Sequence, residues 1–308
     1  MYLFLTIDVE TYTGDYGLDV WGHGQGLGYI LEKCAEYGVQ ATFFVEALGV
    51  TRWGPAGVKD ICDRILNAGQ DVQLHLHPVV ANIEGIQSDG DVFRNYSKAA
   101  QIRFITTGLN MLKECGASRV SALRIGDLAA DKITLQAMRE CGMKLGSNRD
   151  LDKKTTIQSG VNDLFPVRND ICEWQGIVDL PITAPRSSLP FLDGRYRHLQ
   201  ICAVSHAELT DALLKMSRLG YETATILTHP KEFFRRTRRA VVPDMKNRLR
   251  LEQLLSFVRG RNDMEMLPVP RCLTACNIRT SLHRDVRFRL HHSLLRMFEQ
   301  GARRMQGI

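Results

Sequence analysis

Asp8 and Glu10 close one apolar run, Leu3-Phe4-Leu5-Thr6-Ile7-Asp8-Val9-Glu10, and His75 and His77 close another, Asp71-Val72-Gln73-Leu74-His75-Leu76-His77-Pro78. Side chains two apart on a strand share a face. The first run therefore offers a pair of carboxylates and the second a pair of imidazoles. Together they form a mixed nitrogen and oxygen donor set suited to a divalent metal. That reading requires the two strand ends to meet.

Other polar groups end apolar runs in the same way. They are Arg124 in Leu123-Arg124-Ile125-Gly126-Asp127, Asp179 near Pro181, and His229 in Ile226-Leu227-Thr228-His229-Pro230. In βα folds reactive groups gather at the C-terminal ends of strands. The residue types suit amide hydrolysis, which needs an activated water, a polarised carbonyl and a proton for the departing amine. A metal with open positions supplies the first two. A carboxylate takes the water's proton and a histidine returns one to nitrogen. An arginine paired with that carboxylate keeps it ionised.

Each residue also has a plainer reading. Asp8 would cap a turn, Glu10 would be a solvated loop carboxylate, His75 a satisfied core histidine, and His77 a loop residue before Pro78. Arg124 would be an ordinary buried ion-pair partner. Asp127 and Asp131 read better as loop and helix N-cap groups, and His206 as a helix start. His23 has no functional support. Trp21, Trp53 and Trp174 suit either a sugar-stacking surface or the core and rim.

The elements that must position these groups alternate between strand and helix. Strands are expected at 2–9, 39–45, 71–77, 119–125, 143–146, 176–183, 199–204, 222–228 and 264–267. Helical spacing covers 27–37, 56–68, 95–115, 131–141, 206–219 and 245–259, several ended by glycine. This pattern predicts a mostly parallel sheet with helices outside. At least six βα units in a body of about 250 residues favour a closed or nearly closed barrel over an open doubly wound sheet. No phosphate-binding glycine loop follows the first strand. The glycine-rich stretch 22–28 lies too far beyond it and reads as a rim loop.

The order strand-Asp-x-acid, strand-His, strand-Arg-x-Gly and strand-Leu-Thr-His, spread over residues 1–235, resembles the polysaccharide deacetylases, the NodB-like or family-four carbohydrate esterases. The resemblance implies a distorted (β/α) barrel of about seven strands that removes acetyl groups from N-acetylated sugars with a divalent metal, commonly zinc. It implies Asp8 as base, Glu10 and His75 as metal ligands, Arg124 as the residue holding the base, and His229 as general acid. Leu180-Pro181-Ile182 would line the acetyl pocket, with Pro181 touching substrate. The family's second metal histidine lies four residues after the first, where this chain has Val79. His77 is expected to take that role.

Two alternatives remain. One is a hydrolase of another C–N bond, such as a cyclic amide. The other is a catalytically weakened sugar-binding or assembly protein, to which Val79 and the basic C-terminus point. Barrel amidohydrolases also use His-x-His, but at the first strand, where this chain carries carboxylates.

The 308 residues, 44% hydrophobic and 24% charged, suit a globular protein. No apolar run approaches the ~18 residues of a membrane span, and Met1–Leu5 has no basic start. A cytoplasmic location is expected, with the eight cysteines as reduced thiols. Cys272 and Cys276 have a zinc-like spacing but no second Cys/His pair to match. Residues 271–308 carry eight arginines against Asp285 and Glu299, a net +6 equal to that of the whole chain, so residues 1–270 balance. The division expected is a barrel domain over 1–270 and a basic amphipathic helical tail over 271–308. Leu282, Val286, Leu290, Leu294, Met297 and Phe298 form the tail's apolar stripe. It is expected to pack on the domain or a second subunit, with an anionic membrane surface as the sharper idea. Arg235–Arg239 reads as a solvated face or a phosphate contact. Neither basic segment shows a nucleic-acid motif. The substrate expected is an acetylated sugar or a nucleotide- or lipid-linked precursor of a surface polysaccharide.

Overall fold

The computed structural model describes residues 1–11, 13–87, 89–149, 151, 160–165, 168–189, 195–279 and 285–305. Along the chain run β1 (Tyr2–Val9), α1 (Leu27–Tyr37), β2 (Thr42–Glu46), α2 (Val50–Trp53), α3 (Ala56–Asn67), β3 (Asp71–Leu76), α4 (Lys98–Glu114), β4 (Ala122–Ile125), α5 (Lys132–Glu140) and β5 (Leu145–Gly146). Then follow β6 (Cys172–Trp174), β7 (Ile177–Asp179), α6 (His206–Arg218), β8 (Thr223–Thr228), β9 (Phe234–Arg236), β10 (Val241–Pro243), α7 (Met245–Arg259), β11 (Glu265–Met266), α8 (Cys272–Ala275) and α9 (Leu290–Met305). Local signals set many boundaries. Asp131 caps α5 in a reciprocal box with Thr134, and Ser205 caps α6 with Glu208. Gly38, at φ 65°, turns the chain out of α1.

Seven parallel strands stand in the order β8-β1-β2-β3-β4-β5-β7, with β6 antiparallel on the outer edge of β7. β2 occupies the upper half of one β1 edge, pairing Thr6 with Thr42, and β11 the lower half, pairing Tyr2 with Glu265. Beyond β7 the chain stitches back to β8. Thr183 N–H donates to Thr225 O at 3.2 Å, Leu199 N–H to Thr183 O at 2.7 Å, and Leu227 N–H to Leu199 O at 3.0 Å. The sheet thus curls into a distorted (β/α) barrel. The strand expected over 199–204 contributes one bridge, Gln200 with Leu227, and then turns back through Ala203 N–H to Gln200 O.

The period of two sorts β1 into its roles. Leu3, Leu5, Ile7 and Val9 join the large core shared with the helices. Phe4 belongs to a separate cluster with Phe44, Ala122, Leu145 and Leu180. Each such buried side chain contributes about 1.5–3 kcal/mol. Thr6, Asp8 and Glu10 continue Phe4's face, so that face turns polar towards the strand's C-terminal end.

The C-terminal segment departs from expectation. Leu282 lies outside the described residues. Val286 and Phe288 are buried in an extended stretch, where Arg186 N–H donates to Val286 O and Phe288 N–H to Arg186 O. Their alternate spacing favours an extended strip, and α9 begins only at Leu290. The apolar stripe of α9 does not pack on the domain. Leu290, Leu294, Leu295, Met297 and Phe298 are exposed, whereas Ser293 and Arg296 are buried against Glu208 of α6.

Candidate metal centre

Register brings the sequence's scattered donors to one end of the barrel. Glu46 stands opposite His75, and His75 opposite Arg124. Val9 pairs with Val45, so the next residue, Glu10, falls in the same row as Glu46. Glu10 Oε1 lies 3.2 Å from His75 Nε2, 3.2 Å from His77 Nε2 and 3.7 Å from His229 Nε2. Three imidazoles therefore address one carboxylate oxygen. Lys231 Nζ binds the other, Oε2, at 2.7 Å.

His75 of β3 and His77, the residue just past it, are both held from behind. His75 Nδ1 lies 2.9 Å from Arg124 O, and His77 Nδ1 lies 2.6 Å from Asp91 Oδ2. A ring nitrogen tied to a carbonyl or carboxylate fixes the tautomer and leaves Nε2 to bind a cation. Glu10, His75 and His77 have donor atoms all within 4.8 Å of one another, and Asp8, Glu10 and His229 form a second such group. Two imidazoles and a carboxylate suit zinc among the divalent ions. Gly126 makes the arrangement sterically possible, because a Cβ there would collide with the His77 ring. The glycine two residues after Arg124 is thus required by the imidazole beside it.

Electrostatics reinforces the convergence. Burial pushes the Glu10 carboxyl up, but hydrogen bonds with His75 and His77 together with the charges of His229 and His77 outweigh it and hold the group well below the ordinary carboxylate range. Burial lowers His77, yet the Asp91 and Glu10 carboxylates raise it to about 10. Such a group takes up a proton readily where no metal is bound.

Beside the donors lie a second carboxylate and a third imidazole. Asp8 Oδ1 accepts from Arg124 Nη1 at 2.6 Å. Arg124 is fully buried, its guanidinium over the Phe44 ring at 4.2 Å. Thr6 Oγ1, Ser147 Oγ and Ser147 O accept its other bonds at 3.0, 2.8 and 3.4 Å. His229 Nδ1 lies 2.8 Å from Glu232 Oε1. Burial lowers the His229 pKa, and Glu232, Glu10 and Asp8 together raise it above the ordinary value.

Sequence comparison identifies no relative: no family model matches the chain, and no curated protein matches it. Solved structures do match. A protein from Mycobacterium smegmatis classed as a polysaccharide deacetylase superposes with a TM-score of 0.56 at 14% identity, over 92% of this chain and 94% of that one. The chain has the NodB-like fold of the polysaccharide deacetylases. A 4-alpha-glucanotransferase from Thermococcus litoralis reaches the same TM-score at 11% identity over 92% of this chain, which spans 42% of that longer protein. A family 4 carbohydrate esterase from Streptomyces lividans, in complex with acetate, gives 0.47 at 13% identity over 91% of this chain and 98% of that one. The shared fold does not choose a reaction.

On this NodB-like barrel the structure gathers Asp8, Glu10, His75, His77, Arg124 and His229 at one end. Asp179 belongs elsewhere. It is fully buried, paired with Arg149 Nε at 2.8 Å, and joins no metal-ligating group among the described residues. Pro181 is buried beyond β7, between Leu180 and Ile182, which join apolar clusters. Trp21, Trp53 and Trp174 pack half-buried against the large core. Arg236 binds Asp19 at 2.6 Å. Cys272 is buried in α8, and neither it nor Cys276 joins a metal-ligating group among the described residues. Asp91, Lys231, Glu232 and Glu46 escaped sequence reasoning. Burial raises Glu46 to about 7, against backbone N–H groups of Gly49 and Leu48 that bind its carboxylate. Glu232, three residues after His229 in one short turn, was open to detection. Asp91, in a polar loop, carried no signal.

Proposed function

We propose that this protein is a metal-dependent hydrolase that removes the acetyl group from an N-acetylated sugar. The observation that carries this reading is the convergence of His75 Nε2 and His77 Nε2 on Glu10 Oε1, with both Nδ1 atoms tied from behind. These three residues would hold zinc, which when bound polarises an acetyl carbonyl and makes water nucleophilic near neutral pH.

The chain's own groups handle the protons. Asp8 takes the water's proton at Oδ2, since Oδ1 is held by Arg124. The water oxygen bonds to the acetyl carbon, the C–N bond breaks, and acetate leaves. His229, protonated and anchored through Nδ1 to Glu232, gives its Nε2 proton to the departing amine. Lys231 holds Glu10 Oε2 and so presents Oε1 to the imidazoles.

His77, backed by Asp91, supports the full ligand set despite Val79. This favours an active enzyme over a weakened binding protein. The test is acetate release from N-acetyl sugars and their nucleotide- or lipid-linked forms by zinc- or cobalt-loaded protein, with cyclic imides assayed in parallel. Turnover of imides alone would transfer the site to the other C–N chemistry, and no turnover with stoichiometric metal would leave a binding protein.

A further inference from the structure

Helix α9 is amphipathic, and it meets the barrel with its polar side. Ser293 Oγ donates to Glu208 Oε1 at 2.8 Å, and Arg296 Nε lies 3.1 Å from Glu208 Oε2. Glu299 lies 3.0 Å from Arg250 and 3.2 Å from Lys246 of α7, and Arg289, just before the helix, lies 2.8 Å from Asp211. Ser293, Arg296 and Glu299 recur at three-residue intervals, one face of the helix. The other face carries Leu290, Leu294, Leu295, Met297 and Phe298, between 41 and 76% exposed. A helix that only completed the domain would be turned the other way. Polar anchors instead hold its apolar face towards solvent.

The helix beside it adds to the surface. Met245 and Leu249, one turn apart on α7, are 66 and 55% exposed, each next in sequence to a residue that binds Glu299. Just before α7, the β9–β10 hairpin exposes Arg238 and Arg239. Residues 271–308 hold a net +6, the whole excess charge of the chain, although Arg279, Arg289 and Arg296 among them are paired with Glu222, Asp211 and Glu208.

Apolar area joined to positive charge selects the occupant. Two copies meeting through this face would bring two such charges together. An anionic bilayer surface accepts both, burying leucine and phenylalanine among acyl chains while its headgroups meet exposed arginines such as Arg238 and Arg239. No helix among the described residues is long and apolar enough to cross a membrane, so the attachment is peripheral. We propose that α9, with Met245 and Leu249, docks this protein on an anionic membrane surface. Docking by this face is independent of the chemistry assigned to the barrel.

The experiment is flotation of the full-length protein with phosphatidylcholine vesicles, with and without about 30% phosphatidylglycerol, at low and high salt. Co-flotation with the anionic vesicles alone, weakened by salt, is expected. The variant L294E/F298E changes only exposed side chains, so its metal content and unfolding midpoint stay those of the parent. Its partitioning should fall about tenfold to a hundredfold. M245E/L249E should reduce it in the same direction. Equal flotation of parent and variants, equal binding to neutral vesicles, or no binding would overturn the proposal. A lipid-free dimer that L294E/F298E disperses would also overturn it, by making the face a subunit interface.

Discussion

Asp91 Oδ2 stands 2.6 Å from His77 Nδ1, joining two residues 14 apart in the chain, and its other oxygen accepts the Val79 N–H at 3.2 Å. The position that the deacetylase pattern reserves for a second histidine thus contributes backbone instead. It steadies the carboxylate that aims the histidine two residues earlier. Asp91→Ala should lower zinc affinity about 10–100-fold by freeing the imidazole to rotate. Competitive metal titration reads this directly, and unchanged affinity would remove Asp91 from the site.

Gly126 should tolerate no side chain, because the His77 ring occupies the space that a Cβ needs. Gly126→Ala is expected to fold, since the displaced group is a side chain, but to bind metal less than one equivalent per chain. Full occupancy measured by atomic emission would show that the ring is not a ligand.

Replacing Glu232 should move the alkaline limb of the rate profile. His229 must be protonated to act as acid, so the rate falls as pH rises through its pKa. That pKa is raised against burial, with the Glu232 hydrogen bond the largest raising cause. Glu232→Gln removes the cause, leaves burial in place, and should shift the limb to lower pH. The same logic gives a stability effect: the His229–Glu232 contribution is full below the unfolded histidine pKa and is lost as pH rises through the folded value. A limb that does not move would assign it to another group.

Asp8→Asn should cut turnover by about 10²–10⁴-fold while leaving bound zinc unchanged. Asp8 also groups with Glu10 and His229, their donor atoms within 4.8 Å of one another. Loss of zinc in this variant would therefore reassign Asp8 from base to ligand. Removal of its partner is a harsher change. Arg124→Met leaves the Asp8 carboxylate buried without its guanidinium, at a cost of about 3–5 kcal/mol, read as a lower urea midpoint.

The second buried pair, Arg149 with Asp179, separates structure from chemistry. Arg149→Met should also destabilise the fold by about 3–5 kcal/mol, because Asp179 has no exposure to water. Zinc content per folded molecule should stay that of the parent. A selective loss of zinc would place this pair in the site after all.

The sequence by itself determined what depends on local period and residue type. Helices over 27–37 and 245–259 follow from spacing and a glycine at or just past each end, and the structure returns both ranges unchanged. Alternation marked Asp8 with Glu10, and His75 with His77, as same-face pairs, since a strand's geometry leaves no other choice. Tertiary structure alone decided which strand-end groups share a site. Asp8 and Asp179 both end apolar strands, yet one meets Arg124 beside the histidines and the other meets Arg149. That choice rests on register around a curled sheet, a relation among strands far apart in the chain. The outward face of α9 was hidden for the same reason. Its stripe is plain in the sequence, but its direction depends on Glu208, Arg250 and Asp211, whose charges capture the polar side.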